Sequence, residues 1–377
     1  MRKILIMNDF IFSGGAEKVM EQISNFLPRN KYKITIMSIA NQSEVFNIYY
    51  PRYAKYISLN QKFPTNTYSR FSIRHYIQFF NNRVIKPIFI KYLNFKNHDI
   101  VIALKEGPCM KFLADFKAKN KLAWIHVDYN CFYWTQNCFA SKNDELMCMK
   151  KYDNIVCVSQ ASLDSVKNVV GDSGNLIVRY NPMNIDDIIE KSIKIPEELI
   201  NLKKDSDGTI LVSVGGLRKE KGYIRLLKCC NRLKSKFNFK LLIIGEGSER
   251  DTLEEYIDKN NLSKNVILLG NKDNPYPYIS NADWFVSSTE GESYGLAIHE
   301  ALSLKIPVLT TKCPAIEECV SEHEAMLVEN DEESLYNGLY TILSDRNLRE
   351  KYISHIKDRN QKSMYYDKLE EIEKLWL

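Results

Sequence analysis

Short apolar runs alternate with helix-like segments along the chain. KILIM (3–7), KITIMSI (33–39), DIVIAL (99–104), LAWIHV (122–127), NIVCVS (154–159) and NLIVRY (175–180) are near-continuous apolar runs of strand length. A parallel sheet covered on both faces requires such runs, whereas a half-exposed strand alternates. Between the first two, Glu17 to Leu27 carries apolar residues at helical spacing. The series predicts an α/β doubly wound architecture. Residues 181–208 are polar and charged and lack a strand-like run, and then the pattern restarts. TILVSVG (209–215), FKLLIIG (239–245), NVILLG (265–270), ADWFVSS (282–288) and IPVLTT (306–311) follow, with helical segments between them. The reading is two Rossmann-like domains, 1–190 and 209–350, joined by a linker over 191–208. An amphipathic helical tail over 351–377 is expected to pack back on the first domain. Two such domains would face a central cleft, and open parallel sheets bind ligands at the C-terminal ends of their strands.

With 377 residues, 45% hydrophobic and 26% charged, the chain is long enough for two packed domains and is not a disordered polypeptide. Nine scattered cysteines without a CxxC pair fit reduced thiols in a cytosol and argue against a disulfide scaffold or a metal cluster. No apolar run reaches the roughly 18 residues of a membrane span. MRKILIM is broken at Asn8 and Asp9, too soon for a signal peptide. Charge is uneven: residues 1–190 hold 25 Lys and Arg against 16 Asp and Glu, and residues 191–377 hold 27 against 31. A basic front half expects an anionic partner on one side. Residues 62–98 concentrate that charge, with Tyr, Phe, Ile, Lys and Arg and no acid. Two readings stay open for this stretch. It is a basic aromatic helix in a membrane interface, with Arg70, Arg74, Arg83 and Lys86 contacting membrane or acceptor, or a helix packed on the first sheet with a solvated basic face.

Three strand ends carry candidate chemistry. SGGAE (13–17) follows the first strand and opens a helix, so its glycines allow close backbone approach and the helix start offers free N–H groups. It is not GxGxxG, and no acid sits at a strand end about 20 residues on, so a dinucleotide site is not supported. VGGLRKEKG (214–222) crowds Arg218, Lys219 and Lys221 into a glycine-bracketed loop, a composition suited to a diphosphate. TEGESYGLAIHEALSLKIPVLTT (289–311) spaces Glu292 and Glu300 around SYGLAIH. If the helix starts near Ser293, Glu292 sits at its lip and Glu300 two turns in, with the amides of Ser293, Tyr294, Gly295 and Leu296 turned to an anion. Asp205-Ser206-Asp207 spells DxD, but it precedes a strand inside a charged segment and reads as a solvated turn.

The block E-x7-E followed by EAL-x-L-K-IPV, preceded by VGGL-x-KEKG and LLIIGEG (241–247), resembles glycosyltransferase family 4, which is retaining, nucleotide-sugar-dependent and of GT-B fold. SGGAEKVM, WIHVD (124–128), VS at 158–159 and NP at 181–182 fit in the right order. The resemblance implies that Glu292 binds donor-sugar hydroxyls, Glu300 the ribose, and Lys221 the diphosphate. It places Gly14 and Gly15 near the reacting centre and His126 facing the sugar across the cleft, as a positioning group rather than a base. The nucleotide base would rest near Gly245, Gly247, Leu269 and Gly270. The family usually has Arg where this chain has Gly216, and Arg218 lies two residues on, where its guanidinium could reach the same space.

The expected activity is retaining transfer of a sugar from a nucleotide-diphosphate donor, UDP-linked, to a lipid-linked or glycan acceptor in capsule, exopolysaccharide, O-antigen or related synthesis. No cofactor, metal or nucleic acid is expected, and the place of action is the cytoplasm at the inner face of the cell membrane. Two other classes remain: a nucleotide-sugar epimerase of the same fold, and a non-catalytic partner subunit of a transferase.

Overall fold

The computed structural model describes residues 1–10, 14–40, 53–60, 98–204, 208–357 and 362–376. The chain forms two compact units, Met1–Met183 with Met364–Leu377, and Asn184–Ser363. Each is a twisted parallel sheet flanked by helices.

The first unit holds β1 (Arg2–Phe10), β2 (Tyr32–Ala40), β3 (Lys55–Asn60), β4 (Ile100–Ala103), β5 (Asn120–Ile125), β6 (Asn154–Cys157) and β7 (Leu176–Val178). Their order is β3-β2-β1-β4-β5-β6-β7, with every pair parallel. The central strands read apolar on both faces because both are covered. Leu5, Met7, Val101, Ala123, Ile125 and Ile155 pack with Phe112, Met149 and Val166 of the flanking helices in one core. The strand order reverses direction between β1 and β4, which opens a crevice at their C-terminal ends.

The second unit holds β8 (Thr209–Val214), β9 (Phe239–Ile244), β10 (Val266–Gly270), β11 (Trp284–Ser287), β12 (Val308–Thr311) and β13 (Ala325–Val328). The order is β10-β9-β8-β11-β12-β13, again all parallel. Here the reversal lies between β8 and β11. Leu211, Leu241, Ile243, Trp284 and Val286 meet Leu226, Leu227 and Leu339 in the core. The doubly wound α/β expectation therefore holds in each unit.

The boundary falls at Met183/Asn184, ahead of the expected 190, and residues 191–204 of the expected linker are largely helical. Helices Ile185–Ser192 and Glu197–Lys204 belong to the second unit. The Asn184 side chain caps the first by accepting from the Asp187 amide at 3.1 Å, and Ile188 and Leu199 are buried. The expected tail of 351–377 divides as well. Helix Arg346–Lys357 stays with the second unit, burying Ile356, while Met364–Leu377 returns to the first. There Leu369, Ile372 and Trp376 are buried, and the Trp376 carbonyl accepts from Arg2 at 2.6 Å and Asn120 at 3.1 Å. Among the described residues no helix is long and apolar enough to cross a membrane. Arg70, Arg74, Arg83 and Lys86, and the Asp205-Ser206-Asp207 turn, lie outside the described residues.

Candidate active site

In the second unit the loops after β8 and β11 meet at the crevice where the strand order reverses. A single 3₁₀ turn, Lys219–Lys221, ends in left-handed Gly222 and hands over to helix Tyr223–Leu233. The two loops are joined along their backbones. Glu290 N–H donates to the Glu220 carbonyl at 2.7 Å, Thr289 Oγ1 to the same carbonyl at 3.1 Å, and Ser288 Oγ to the Lys221 carbonyl at 2.9 Å. This places Lys221 Nζ 2.5 Å from Glu292 Oε1, with both side chains mostly buried. The Glu292 backbone N–H also donates to the Cys313 thiol, whose burial pushes its pKa up to about 11. Lys221, Glu292 and Gly295 line one pocket with Ser213, Ser288 and Ala297. A cation and an anion held side by side at a strand-end crevice can take the two halves of a ligand that carries phosphate on one side and hydroxyls on the other.

The other predicted residues stand around this pair. Arg218 packs over Gly216: a Cβ added there would lie 3.5 Å from Arg218 Nε. Its guanidinium is half exposed and bonds Glu220 at 2.7 Å. Gly245 has φ +143, and a Cβ there would meet the Gly215 carbonyl at 2.0 Å, so this position admits only glycine. A Cβ on Gly247 would meet the Leu217 carbonyl at 2.3 Å. Both glycines let the loops after β8 and β9 pair backbone to backbone, through Leu217 N–H to Glu246 O at 2.9 Å and Glu249 N–H to Leu217 O at 2.9 Å. Leu269 and Gly270 close the neighbouring strand β10.

The expected helix start near Ser293 is corrected. The helix runs Leu296–Ser303, and Gly295 caps it in the left-handed region with φ +78. Ser293 and Tyr294 therefore belong to a loop, and Glu300 sits one turn into the helix rather than two. Glu300 is buried and accepts from the Tyr276 hydroxyl at 3.2 Å. Tyr294 stacks on His299, with ring centroids 4.6 Å apart.

In the first unit, helix Gly15–Phe26 begins directly after Gly14. A Cβ on Gly14 would come 2.7 Å from Glu17 Oε2, so the glycine makes room for that buried carboxylate. Glu17 accepts from Asn8 Nδ2 at 3.0 Å and pairs with Lys105 at the end of β4. His126 follows β5 directly, and its backbone N–H donates to Glu106 Oε2 at 2.9 Å. Glu106 takes a second bond from Trp134 Nε1 at 2.9 Å. Burial, then the Lys105 charge, drive the His126 pKa from 6.5 down to about 3, against a hydrogen bond with the Leu104 backbone. The ring is thus a neutral donor or acceptor at physiological pH and not a proton shuttle. Lys105, Glu106, Trp134, Tyr276 and Cys313 escaped sequence reasoning. Lys105 and Glu106 had a usable signal, since LKEG places charge directly after an apolar strand.

Both units are doubly wound α/β sheets, and the second carries a lysine–glutamate pair at its reversal point. Residues 194–359 match the model of the glycosyl transferases group 1. The chain is 33% identical over 213 residues to the N-acetylgalactosamine-N,N'-diacetylbacillosaminyl-diphospho-undecaprenol 4-alpha-N-acetylgalactosaminyltransferase of Campylobacter jejuni, covering 55% of this chain and 56% of that one. It is 29% identical over 152 residues to the capsular polysaccharide biosynthesis glycosyltransferase CapM of Staphylococcus aureus, covering 38% and 39%. The chain thus spans about half or less of the length of these relatives. Anabaena HepE, solved in complex with UDP and glucose, superposes with a TM-score of 0.77 over 99% of this chain and 100% of that one at 15% identity, which shows a shared fold.

Proposed function

We propose that the protein is a retaining glycosyltransferase that moves a sugar from a UDP-linked donor to a lipid-linked or glycan acceptor in surface-polysaccharide synthesis. The observation that carries this reading is the Lys221–Glu292 pair, 2.5 Å apart at the reversal point of the second sheet. In ligand-free protein each charge neutralises the other. A bound donor separates their tasks: Lys221 turns to the diphosphate, and Glu292 accepts from sugar hydroxyls. Glu300 binds the ribose beside Tyr276. As the bond to the anomeric carbon breaks, negative charge grows on the leaving diphosphate, where Lys221 and Arg218 stabilise it in place before the reaction. The acceptor hydroxyl attacks from the leaving-group side and passes its proton to the departing phosphate, which retains the anomeric configuration. Glu292 and Glu300 are not the opposed carboxylate pair of a glycosidase, since one faces Lys221 and the other Tyr276. Neutral His126, just past β5 in the first unit, helps position the donor sugar. The diphospho-undecaprenol in the name of the Campylobacter relative supports a lipid-linked acceptor, and with it action at the cytoplasmic face of a membrane.

The test is a hydrolysis and transfer screen of nucleotide sugars with the purified chain. Glu292→Ala and Lys221→Ala should each lower turnover at least about 100-fold while the melting temperature stays near wild type, the scale of losing one preorganised charged contact. EDTA should leave turnover largely unchanged, because the positive charge comes from Lys221 and Arg218. Wild-type turnover in both variants would refute the reading.

A further inference from the structure

Arg225 is the third residue of helix Tyr223–Leu233 and is only 9% exposed, on the buried side with Leu226, Cys229 and Cys230. Its guanidinium does not spend itself on a carboxylate. Nε and Nη2 donate to the Ser288 carbonyl at 2.9 and 2.6 Å, and Nη2 also donates to the Thr289 carbonyl at 2.7 Å and to Thr311 Oγ1 at 3.3 Å. Thr311 Oγ1, at the end of β12, donates in turn to the Thr289 carbonyl at 2.5 Å. One side chain thus gathers the ends of β11 and β12 onto the helix that follows β8.

The fit is close on the other side too. A Cβ on Gly222 would lie 2.1 Å from the Ser288 carbonyl and 2.8 Å from Arg225 Nε, so the glycine leaves the opening through which they meet. Lys221 precedes that glycine, and Glu292 lies three residues beyond Thr289. The fork therefore fixes one backbone register between the residue bearing the cation and the loop bearing the anion. Burying a guanidinium costs desolvation that a well-packed apolar side chain would avoid, so stability alone does not account for it. The acidic groups acting on it, Glu290, Asp331 and Glu332, come from the β11 loop and the start of helix Glu332–Ser344.

We infer that Arg225 is a positioning residue that holds Lys221 and Glu292 in register for the nucleoside diphosphate of the donor. The inference rests on the donor reading of that pair. Its action is geometric: the planar fork spans two carbonyls and a hydroxyl, which a single ammonium does not.

UDP binding to the full chain, measured by calorimetry, tests it alongside thermal melting. Arg225→Met and Arg225→Lys should each weaken UDP at least about 10-fold through displacement of the pair. Thr311→Val, which removes the hydroxyl shared by Arg225 and Thr289, should weaken it in the same direction and guards against a poorly folded Arg225 variant. Lys221→Ala should weaken UDP in wild type but add little in the Arg225→Met background, because both changes act through one contact. A merely structural arginine would lower the melting temperature and leave the two effects additive. Full binding by Arg225→Lys or by Thr311→Val, or additive losses, would overturn the inference. UDP binding that Lys221→Ala does not alter would overturn the donor reading itself, a different result from an intact Lys221 effect with an inert Arg225.

Discussion

His126 titrates where no turnover assay at neutral pH would see it. Its burial and the Lys105 charge hold the pKa at about 3, so the ring stays neutral as pH falls from 8 to 5. The kcat/KM profile over that range should therefore show no limb that disappears in His126→Asn. Stability behaves differently. In the unfolded chain the ring takes up a proton near pH 6.5, while the folded ring does so only near 3. Between those values the unfolded state binds more protons, so His126 makes folding weaker as pH falls through the window. Denaturation midpoints measured from pH 7 to 4 should fall less steeply in His126→Asn than in wild type. Lys221 and Glu292 stand out in the sequence as charges in the loops after apolar runs, and His126 as a polar residue near the end of one. Arg225 does not, because it hides inside the helical stripe of Tyr223, Leu226, Cys229 and Cys230, and only its charge at an apolar position marked it. Glu17 was masked by the glycines before it, which read as room for a ligand, whereas Gly14 also makes room for Glu17.

At the level of elements, all the strands were visible except β3 and β13, each at one edge of its sheet. β3 mixes Lys, Tyr and Ser with its apolar residues, as an outer strand does, and β13 is only four residues long. The start of the helix after β11 was misplaced because Glu292 and Ser293 look like capping residues, whereas left-handed Gly295 sets the boundary. Gly295→Ala tests that. Alanine would carry φ +78 and bring its Cβ 2.7 Å from the Ile316 side chain, so the variant should lose about 1–3 kcal/mol of stability in urea titration. It should also weaken UDP binding, since the helix end and Glu292 move together. The loop after β8 gives a graded expectation. Arg218 is half exposed and tied to Glu220, while Lys221 is mostly buried. Steady-state kinetics should therefore show Arg218→Ala losing turnover, but less than Lys221→Ala, because a solvated charge stabilises a leaving group more weakly.

The Lys221–Glu292 pair and the acid-free stretch 62–98 belong to different units of the chain. Residues 62–98 contain no acid, and each Lys or Arg near an anionic leaflet contributes about 1 kcal/mol. Vesicles of anionic lipid should bind the protein, more weakly as salt rises, and changing Arg70, Arg74, Arg83 and Lys86 to Glu should lower that binding while donor hydrolysis continues. Failure of such vesicles to bind at low salt would leave packing on the first sheet as the reading of this stretch. Trp376 gives a separate handle on the first unit. It is buried, and its carbonyl anchors Arg2 and Asn120. Trp376→Ala should destabilise that unit by about 3–5 kcal/mol in a denaturant titration, with UDP binding by the second unit retained. The same C-terminal segment sets an order of events on the ribosome. Met364–Leu377 completes the first unit but is translated after all of the second. Synthesis runs at about 5–20 residues per second, so for many seconds the N-terminal sheet waits with the seats of Leu369, Ile372 and Trp376 empty. The second unit has its whole sequence first and is free to fold while its elder neighbour is still open. A message broken between codons 364 and 377 would therefore yield a chain with an intact second unit and an unsealed first one, a ready target for chaperones and proteases.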